Sequence, residues 1–443
     1  MRIMLTALLA LLSAKLPAHT QQFTLDNGLK ILVKEDHRAP IAVSMMFYNV
    51  GSADEASGIT GISHVLEHLM FKGTTKYPLG VFSQTIANLG GQENALTSYD
   101  YTAFYEQIAA VHLSTSFELE ADRMEHLLLN NDEFAKEMKV IQEERRMRTD
   151  NNPKALALER YLAAAHLGAP YHHPVIGWMS DLKHMTVSDA RRWYQRFYAP
   201  NNATLIVVGD VNASNVHALA KHYFGDIKKR PLTTRKPQKE PPVLGKKTVV
   251  INTPTQVPML IMGYTVPSMK TASSDQKNIP FALDIIGNIL DSGDTGRFEK
   301  NLVDGAQIAS SIGVYYNPYA RFQTQFIVLG APSKHHTMAD LESGVLSEIN
   351  RLKTQRISNT ELQTIKTRLK AQKTFQNDSI FDQALELGLL ETLGLGWQTA
   401  DEYIKHIDRI TPEDIQKTAQ TYFTENNITE AQLIQNKPSR QNA

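Results

Sequence analysis

The segment HVLEH, from His64 to His68, places two imidazoles and a carboxylate within five residues. Residues four apart lie on one face of a helix, so His64 and His68 can direct two ring nitrogens at one metal ion. Glu67 directly precedes His68 and would lie beside such an ion, where a general base for an attacking water molecule is needed. The spacing predicts a catalytic metal site. A polar, solvated helix face is the simpler alternative.

The residues around this motif favour the metal site. Ile62, Val65, Leu66, Leu69 and Met70 make the segment apolar nearly all round, which is typical of a buried helix. Two buried imidazoles and a buried carboxylate need polar partners or a metal ion. The sequence contains no cysteine, so a zinc site must use histidine, aspartate or glutamate. A disulfide framework and a cysteine nucleophile are excluded for the same reason.

A catalytic zinc ion takes three protein ligands and keeps a fourth position open, so one ligand must come from another segment. The candidate segment is KEMKVIQEERRMR. Its Glu137 and Glu144 are seven residues apart and share a helix face, whereas Glu143 lies off that face. One carboxylate of such a pair can bind the metal while the other holds a histidine in place.

The bulk composition is that of a globular protein of 443 residues, 42% hydrophobic and 21% charged, which is long enough for two or more domains. Lysine plus arginine and aspartate plus glutamate both number 46, so no net charge favours nucleic acid as a partner. The first residues, MRIMLTALLALLSAKLPA, predict a signal peptide over residues 1–18, with a buried N-terminal helix as the alternative. A signal peptide implies a periplasmic or secreted protein without a stable membrane anchor.

Two similar halves flank a proline-rich and charged linker at residues 230–245. The segments MTVSDARRWYQRFYAPNN and ITPEDIQKTAQTYFTENN match at a threonine, an aspartate, an aromatic pair and an Asn-Asn pair, all at one offset of 225 residues. Strand-like and helix-like segments mix without strict alternation, which favours α+β domains with mainly antiparallel sheets. We expect an N-terminal zinc-binding domain at residues 19–229 and a homologous domain without the motif at 246–443.

Three segments, HVLEHLMFKGT, GGQENALTSYDYTAFY and EMKVIQEE, together resemble the pitrilysin/insulinase family of zinc metallopeptidases. The short bacterial members similar to mitochondrial processing peptidase are the nearest in pattern, and the likeness covers nearly the whole mature chain. The resemblance implies two homologous α+β domains that form half of a clam-shaped chamber. It also implies one zinc ion per chain and hydrolysis of peptides or unfolded polypeptides within that chamber.

The resemblance assigns roles to individual residues of the metal site. His64 and His68 match the two zinc-binding histidines, and Glu67 matches the general base. Glu144 matches the third zinc ligand, and Glu137 matches a supporting acidic residue.

The resemblance also implies a substrate-binding segment at residues 94–97. Asn94 matches a residue that contacts the substrate backbone, and Ala95 and Thr97 are further predicted contacts. This segment would take up an extended peptide as an added β-strand. A turn residue after Gly90 and Gly91 is the alternative interpretation of Asn94.

One stretch departs from the family pattern. Active members carry an arginine and a tyrosine in a stretch like LRxxxxLGY, where the two side chains stabilise the oxyanion. The matching LVDGAQIAS has Val303 and Ser310 instead, and neither side chain can replace those donors. A homologous sister chain would then supply the pair in a heterodimer, or a second copy would form a homodimer. The alternative function is a non-catalytic structural or peptide-binding subunit of a hetero-oligomer.

Overall fold

The structure, a computed structural model, describes residues 19–232 and 234–435; the predicted signal peptide lies outside them. Within the described part of the chain, no helix is long and apolar enough to cross a membrane. The described residues form two β-sheets with their associated helices.

The first sheet is built from residues before the linker. Its strands are β1 (Gln21–Thr24), β2 (Lys30–Glu35), β3 (Ile41–Tyr48), β4 (Gln92–Thr97), β5 (Thr102–Ala109) and β6 (Ala203–Gly209). The helices of this half are α1 (Ile62–Leu69), α2 (Val81–Asn88), α3 (Leu113–His126), α4 (Asn131–Arg145), α5 (Pro153–Ala165), α6 (Met179–His184), α7 (Val187–Phe197) and α8 (Ala213–Phe224). The strand order is β1-β2-β6-β3-β5-β4, so β4 lies at an edge.

The second sheet is built from residues after the linker. Its strands are β7 (Lys247–Thr253), β8 (Met259–Val266), β9 (Ala309–Tyr316), β10 (Thr324–Pro332) and β11 (Ile428–Gln435). The helices of this half are α9 (Ile279–Leu290), α10 (Met338–Thr354), α11 (Asn359–Gln376), α12 (Ile380–Thr392), α13 (Thr399–Arg409) and α14 (Pro412–Tyr422). The strand order is β7-β11-β8-β10-β9, which repeats the order of the first sheet without β1.

The two halves also agree in strand direction and in local contacts. The β2–β6 and β7–β11 pairs are parallel and all other pairs are antiparallel, which confirms the predicted α+β class. Thr186 and Thr411 each begin a helix with a capping box, and their aspartate partners are those of the predicted repeat. The side-chain amides of Asn202 and Asn427 each donate to a carbonyl at the end of the preceding helix.

Each half contributes one helix to the sheet of the other half. Ala384 and Leu387 of α12 pack on Val43, Phe47 and other residues of the first sheet. Helix α5 packs in the same way on the second sheet, through Ala157, Tyr161 and Ala165. Both helices are thirteen residues long. Each sheet is therefore covered partly by the other half, so the two halves do not pack as separate units. The predicted domain boundaries stay a prediction.

The linker is more firmly attached than its composition indicates. Its described residues form no helix or strand, as the proline content predicts. Glu240, however, is buried and accepts backbone N–H groups of Leu167, Gly168 and Ala169. Arg235 pairs with Asp54 at 2.6 Å. These contacts fix the linker against the first half of the chain.

Candidate metal centre

Helix α1 carries His64, Glu67 and His68 on the face that does not enter the core. Gly61 precedes the helix with φ of 90°, and a Cβ there would lie 2.5 Å from the carbonyl oxygen of Ile176. The carboxylate of Glu55 accepts the N–H groups of Gly61 and Ser63, which stabilises the helix N-terminus. The apolar side chains of α1 enter the core of the first half, as predicted. The histidines are left to face α4.

His64, His68 and Glu144 converge on one point. Their nearest ligand atoms all lie within 4.8 Å of one another. Glu144 Oε2 lies 3.4 Å from His68 Nε2 and 3.8 Å from His64 Nε2. The helix brings the two imidazole rings to a centroid separation of 4.7 Å, and α4 supplies the carboxylate.

These distances suit a tetrahedral zinc ion. Nitrogen and oxygen ligands about 2.1 Å from such an ion are about 3.4 Å apart. Glu144 Oε2 is buried and has no hydrogen-bond partner among the described residues. An unpaired carboxylate oxygen in a buried position is costly unless a cation compensates it. The donor set, two imidazoles and one carboxylate, is one that zinc accepts.

Three further side chains support the cluster. Glu137 accepts a hydrogen bond from His68 Nδ1 at 3.0 Å, and Lys72 Nζ lies 2.5 Å from its other oxygen. Burial opposes the ionised form of Glu137, but the hydrogen bonds from Lys72 and His68 lower its pKa overall. Arg148 Nη1 contacts Glu144 Oε1 at 3.0 Å, which leaves Oε2 directed at the histidines.

His64 is held in its neutral form. Burial lowers the pKa of His64 to about 3, and electrostatic interactions with His68 and Arg148 act in the same direction. A neutral imidazole is the form that binds a metal ion. His64 is therefore available as a ligand throughout the physiological pH range.

Glu67 lies beside the convergent cluster and outside it. Its carboxylate accepts a hydrogen bond from the hydroxyl of Thr97 on β4. Burial raises the pKa of Glu67, and the Thr97 hydrogen bond opposes this effect. A carboxylate with a raised pKa is a stronger base, which suits proton abstraction from water.

The predicted substrate segment lies on an exposed sheet edge. Residues 92–97 form β4, which pairs with β5 on one side only. Asn94 is exposed, and among the described residues its side-chain oxygen accepts only the N–H of Ala95. The turn predicted as the alternative for Asn94 is therefore wrong, because Asn94 pairs with Tyr105 in a regular ladder.

The two departures from the family pattern occupy structural positions. Val303 packs against the core of the second half. Ser310 donates to the carbonyl oxygens of Ala331 and Pro332. The next tyrosine and arginine along the chain that could replace the missing pair are also engaged. Tyr316 donates to a backbone carbonyl, and Arg321 pairs with Asp54 and Asp100. Tyr315, by contrast, is 56% exposed.

Sequence reasoning missed several residues around the site. Arg148 follows Glu144 by four positions, so helical spacing could have indicated their contact. No such spacing indicated the contact between Lys72 and Glu137, which joins the segment after α1 to α4. Nothing in the sequence indicated that Thr97 would bond Glu67 or that Glu55 would bond the start of α1. Thr97 and Glu67 are 30 residues apart, and Glu55 is separated from the start of α1 by irregular turns.

The fold and the cluster define a class of protein, a two-sheet α+β chain with a His-His-Glu centre beside a free strand edge. Family models agree with this class. Residues 30–177 match "Insulinase (Peptidase family M16)", and residues 184–369 match "Peptidase M16 inactive domain". The chain belongs to peptidase family M16, the pitrilysin/insulinase family.

Individual relatives support the same assignment. The chain is 33% identical to "Zinc protease PqqE" of Helicobacter pylori over 361 residues, which cover 80% of this chain and 79% of that protein. A protease of Helicobacter pylori of known crystal structure superposes with a TM-score of 0.89, at 29% identity over 94% of this chain and 100% of that one. The periplasmic protease PqqL of Escherichia coli superposes at 0.79 and 19% identity, over 95% of this chain and 48% of PqqL. This protein therefore has the fold of about half of PqqL.

Proposed function

We propose that the protein is a zinc-dependent endopeptidase that hydrolyses peptides or unfolded polypeptides. The observation that carries the proposal is the unpaired, buried Oε2 of Glu144, directed at two imidazole nitrogens. His64, His68 and Glu144 would hold the metal, and its fourth position would remain open. The family assignment and the name of the Helicobacter pylori relative support zinc as the ion.

The side chains around the metal position would transfer the proton and hold the reacting groups in place. A zinc ion in this position supplies a Lewis acid for the scissile carbonyl and for a water molecule. Glu67 takes the proton from that water and passes it to the leaving amine. Thr97 holds the Glu67 carboxylate in place, and Glu137 fixes the orientation of His68 through Nδ1.

Strand β4 would bind the substrate. Its free edge offers backbone N–H and C=O groups to an extended peptide, at Asn94, Ala95 and Thr97. Because Thr97 also contacts Glu67, a peptide paired with this edge passes beside the base. Peptides and unfolded chains offer extended segments with unpaired backbone groups most readily, so they are the expected substrates.

A sister chain would complete the oxyanion site. Val303 and Ser310 stand where active relatives carry arginine and tyrosine, and both serve packing or backbone contacts here. The fold match to one half of PqqL supports an arrangement in which two such halves face each other. The partner that completes the site would be a homologous chain, because a second copy in a homodimer would carry the same Val303 and Ser310. The compartment would be the periplasm or the cell exterior.

The experiment is hydrolysis of a quenched fluorogenic peptide library by the zinc-loaded protein, with and without a homologous chain that carries the arginine–tyrosine pair. Glu67→Gln is the test variant, and we expect it to lower the rate by about 10²- to 10⁴-fold while zinc content stays unchanged. Hydrolysis that is unaffected by Glu67→Gln would contradict the mechanism. Absence of hydrolysis under every condition would support a non-catalytic subunit.

A further inference from the structure

A cavity of about 520 Å³ lies between the linker and the two halves of the molecule. Its walls come from the segment after β3, the segment after α5, the end of α7, the linker and the β9–β10 loop. The lining residues central to the argument are Asp54, His173, Arg196, Lys236 and Arg321. A cavity of this volume is large enough for a small molecule.

The charged side chains of the cavity leave an excess of positive charge. Four cationic side chains line it, against two acidic ones, Asp54 and Glu55. Arg235 and Arg321 both pair with Asp54, at 2.6 Å and 3.2 Å. Burial raises the pKa of Glu55 to about 8, so this carboxyl is mostly neutral at pH 7. Neither acidic group is therefore available to neutralise a further cation.

The two remaining cations have no acidic partner among the described residues. Arg196 lies in the last turn of α7, where its guanidinium lies 4.9 Å from the centre of the Phe197 ring. Lys236 belongs to the linker and lines the same cavity. Because neither side chain forms an ion pair within the described part of the chain, both charges can attract an anion.

Two buried nitrogen atoms of the lining also lack hydrogen-bond partners among the described residues. One is Nη2 of Arg321, whose other nitrogens contact Asp54 and Asp100. The other is Nδ1 of His173, a residue that is only 4% exposed. Burial lowers the pKa of His173 to about 4, so the ring is neutral and Nδ1 can carry its proton and donate. A bound acceptor would remove the cost of leaving these donors unpaired.

This set of side chains suits an oxyanion better than a metal ion. In the part of the chain that the structure describes, the only group of His, Asp and Glu side chains close enough to hold a metal is the His64–His68–Glu144 cluster. His172 is not free to join His173, because its Nδ1 donates to the carbonyl oxygen of Ala169 at 2.9 Å. Arginine and lysine, by contrast, are the side chains that bind phosphate oxygens.

The cavity also has an apolar wall. The rings of Phe197 and Phe322 line it beside the cationic groups, together with Pro170. Aromatic rings next to a charged site can pack against the organic part of a ligand while the charged part meets the cations.

We propose that this cavity binds a phosphate group, either of free phosphate or of a phosphate monoester whose organic part packs on the two phenylalanine rings. Arg196 and Lys236 would supply the positive charge, and Arg321 and His173 would supply buried hydrogen bonds. These four residues lie on α7, the linker, the β9–β10 loop and the segment after α5, so a bound phosphate would hold the linker against both halves. The inference does not depend on the proposed peptidase activity.

Calorimetric titration of the zinc-loaded protein with inorganic phosphate tests the proposal, in buffers whose ionic strength is matched with sodium chloride. We expect one phosphate per chain, and a melting temperature about 2–4 °C higher at a phosphate concentration a hundredfold above the Kd. Absence of binding up to about 10 mM phosphate or phenyl phosphate would overturn the proposal.

Phenyl phosphate distinguishes the two sources of the phosphate group, with phenol as the control for its ring. Binding of phenyl phosphate at least about tenfold tighter than that of phosphate would identify a monoester as the ligand. Equal binding of the two would identify free phosphate. Binding of phenol as tight as that of phenyl phosphate would overturn the proposal, because the charge would then play no part.

Two substitutions locate the binding in this cavity. Arg196→Ala and Lys236→Ala should each weaken phosphate binding by at least about tenfold, because each removes an unpaired charge. Arg192→Ala is the matched control, since Arg192 lies one turn earlier on α7, is exposed and pairs with Asp189. Unchanged phosphate affinity in both test variants, with folding verified by circular dichroism, would overturn the proposal.

Phosphate can also bind a zinc ion directly, so a further variant separates the two positions. Phosphate binding should persist in His64→Ala, which lacks a proposed metal ligand, and should be weakened in Arg196→Ala. The reverse result would place the phosphate on the metal; it would overturn this proposal and support the proposed metal centre.

Discussion

At the scale of single residues, the His64–His68–Glu144 cluster depends on groups that would not touch a bound ion. His68 is oriented through Nδ1 by Glu137, which is itself paired with Lys72. His64 Nδ1, in contrast, is buried without a hydrogen-bond partner in the described residues. The two proposed ligands on α1 are therefore supported unequally. The orientation of the His68 ring can be disturbed by a substitution on another helix, α4.

We predict that Glu137→Gln weakens zinc binding by about 10- to 100-fold, because the His68 ring loses its charged acceptor. The measurement is a zinc titration against a chromophoric chelator. Glu143→Gln is the control, since Glu143 lies on the same helix but pairs with Arg146 at the surface, away from the cluster. Equal losses of zinc affinity in the two variants would contradict the prediction. They would show that any change of charge on α4 weakens zinc binding.

At the scale of elements, the exchanged helix α12 depends on a glycine. A Cβ at Gly388 would lie 2.0 Å from Cε2 of Phe47, which is buried on β3. Glycine there lets α12 approach the sheet of the other half. The equivalent approach of α5 to the second sheet uses Gly263, which leaves room for the hydroxyl of Tyr161.

We predict that Gly388→Ala lowers the free energy of unfolding by about 1–3 kcal/mol, because Phe47 must move or α12 must retreat. Gly287→Ala is the matched control. Its added Cβ would meet other side chains only at 3.7 Å and beyond, and alanine favours the helix, so stability should rise slightly. Urea unfolding of both variants checks the prediction; a Gly388→Ala protein as stable as the wild type would refute it.

Helix α5 ends beside a histidine whose charge state links pH to stability. The pKa of His166 falls from 6.5 to about 4 in the folded protein because burial disfavours the charged ring. The unfolded chain therefore binds more protons between these values, and the folded state loses stability as pH falls from 6.5 towards 4. The expected loss from this one group is about 2 kcal/mol by pH 5.

His166→Gln should remove that part of the pH dependence. Thermal unfolding between pH 7 and pH 5 gives the comparison, with the exposed His222→Gln as control. The melting temperature of the wild type and of the control should fall more steeply with acid than that of His166→Gln. Parallel curves for all three proteins would contradict the assignment.

The sequence was sufficient to predict the α+β class and the convergence of His64, His68 and Glu144. Helical spacing brought His64 and His68 together, and the repeat around Thr186 and Thr411 indicated two similar sheets. It could not indicate the exchange of α5 and α12, because an apolar helix does not specify which sheet covers it. Strand β4 lacks a clear two-residue alternation, and only family resemblance drew attention to it.

At the scale of the whole molecule, the proposed active site is incomplete. One chain would supply the metal ligands, the base and the substrate edge, while Val303 and Ser310 would supply no oxyanion donor. Loss of one such donor costs about 10²- to 10³-fold in rate. We predict that the chain alone is slower than a mixture with a homologous arginine–tyrosine chain by at least that factor.

Steady-state kinetics of the isolated and mixed chains, with their masses from light scattering, measure this difference. A second copy of the same chain would add no arginine or tyrosine at these positions, so doubling its concentration should not restore the rate. Full activity in a monomer would show that another side chain, such as the exposed Tyr315, serves the oxyanion.

His64, His68 and Glu144 are proposed to form a zinc centre. Anomalous diffraction at the zinc edge, from crystals of the zinc-loaded protein, tests it most directly. We predict one strong peak about 2.1 Å from His64 Nε2, His68 Nε2 and Glu144 Oε2, and its retention in Glu67→Gln. A peak elsewhere, or none between these three side chains, would contradict the account.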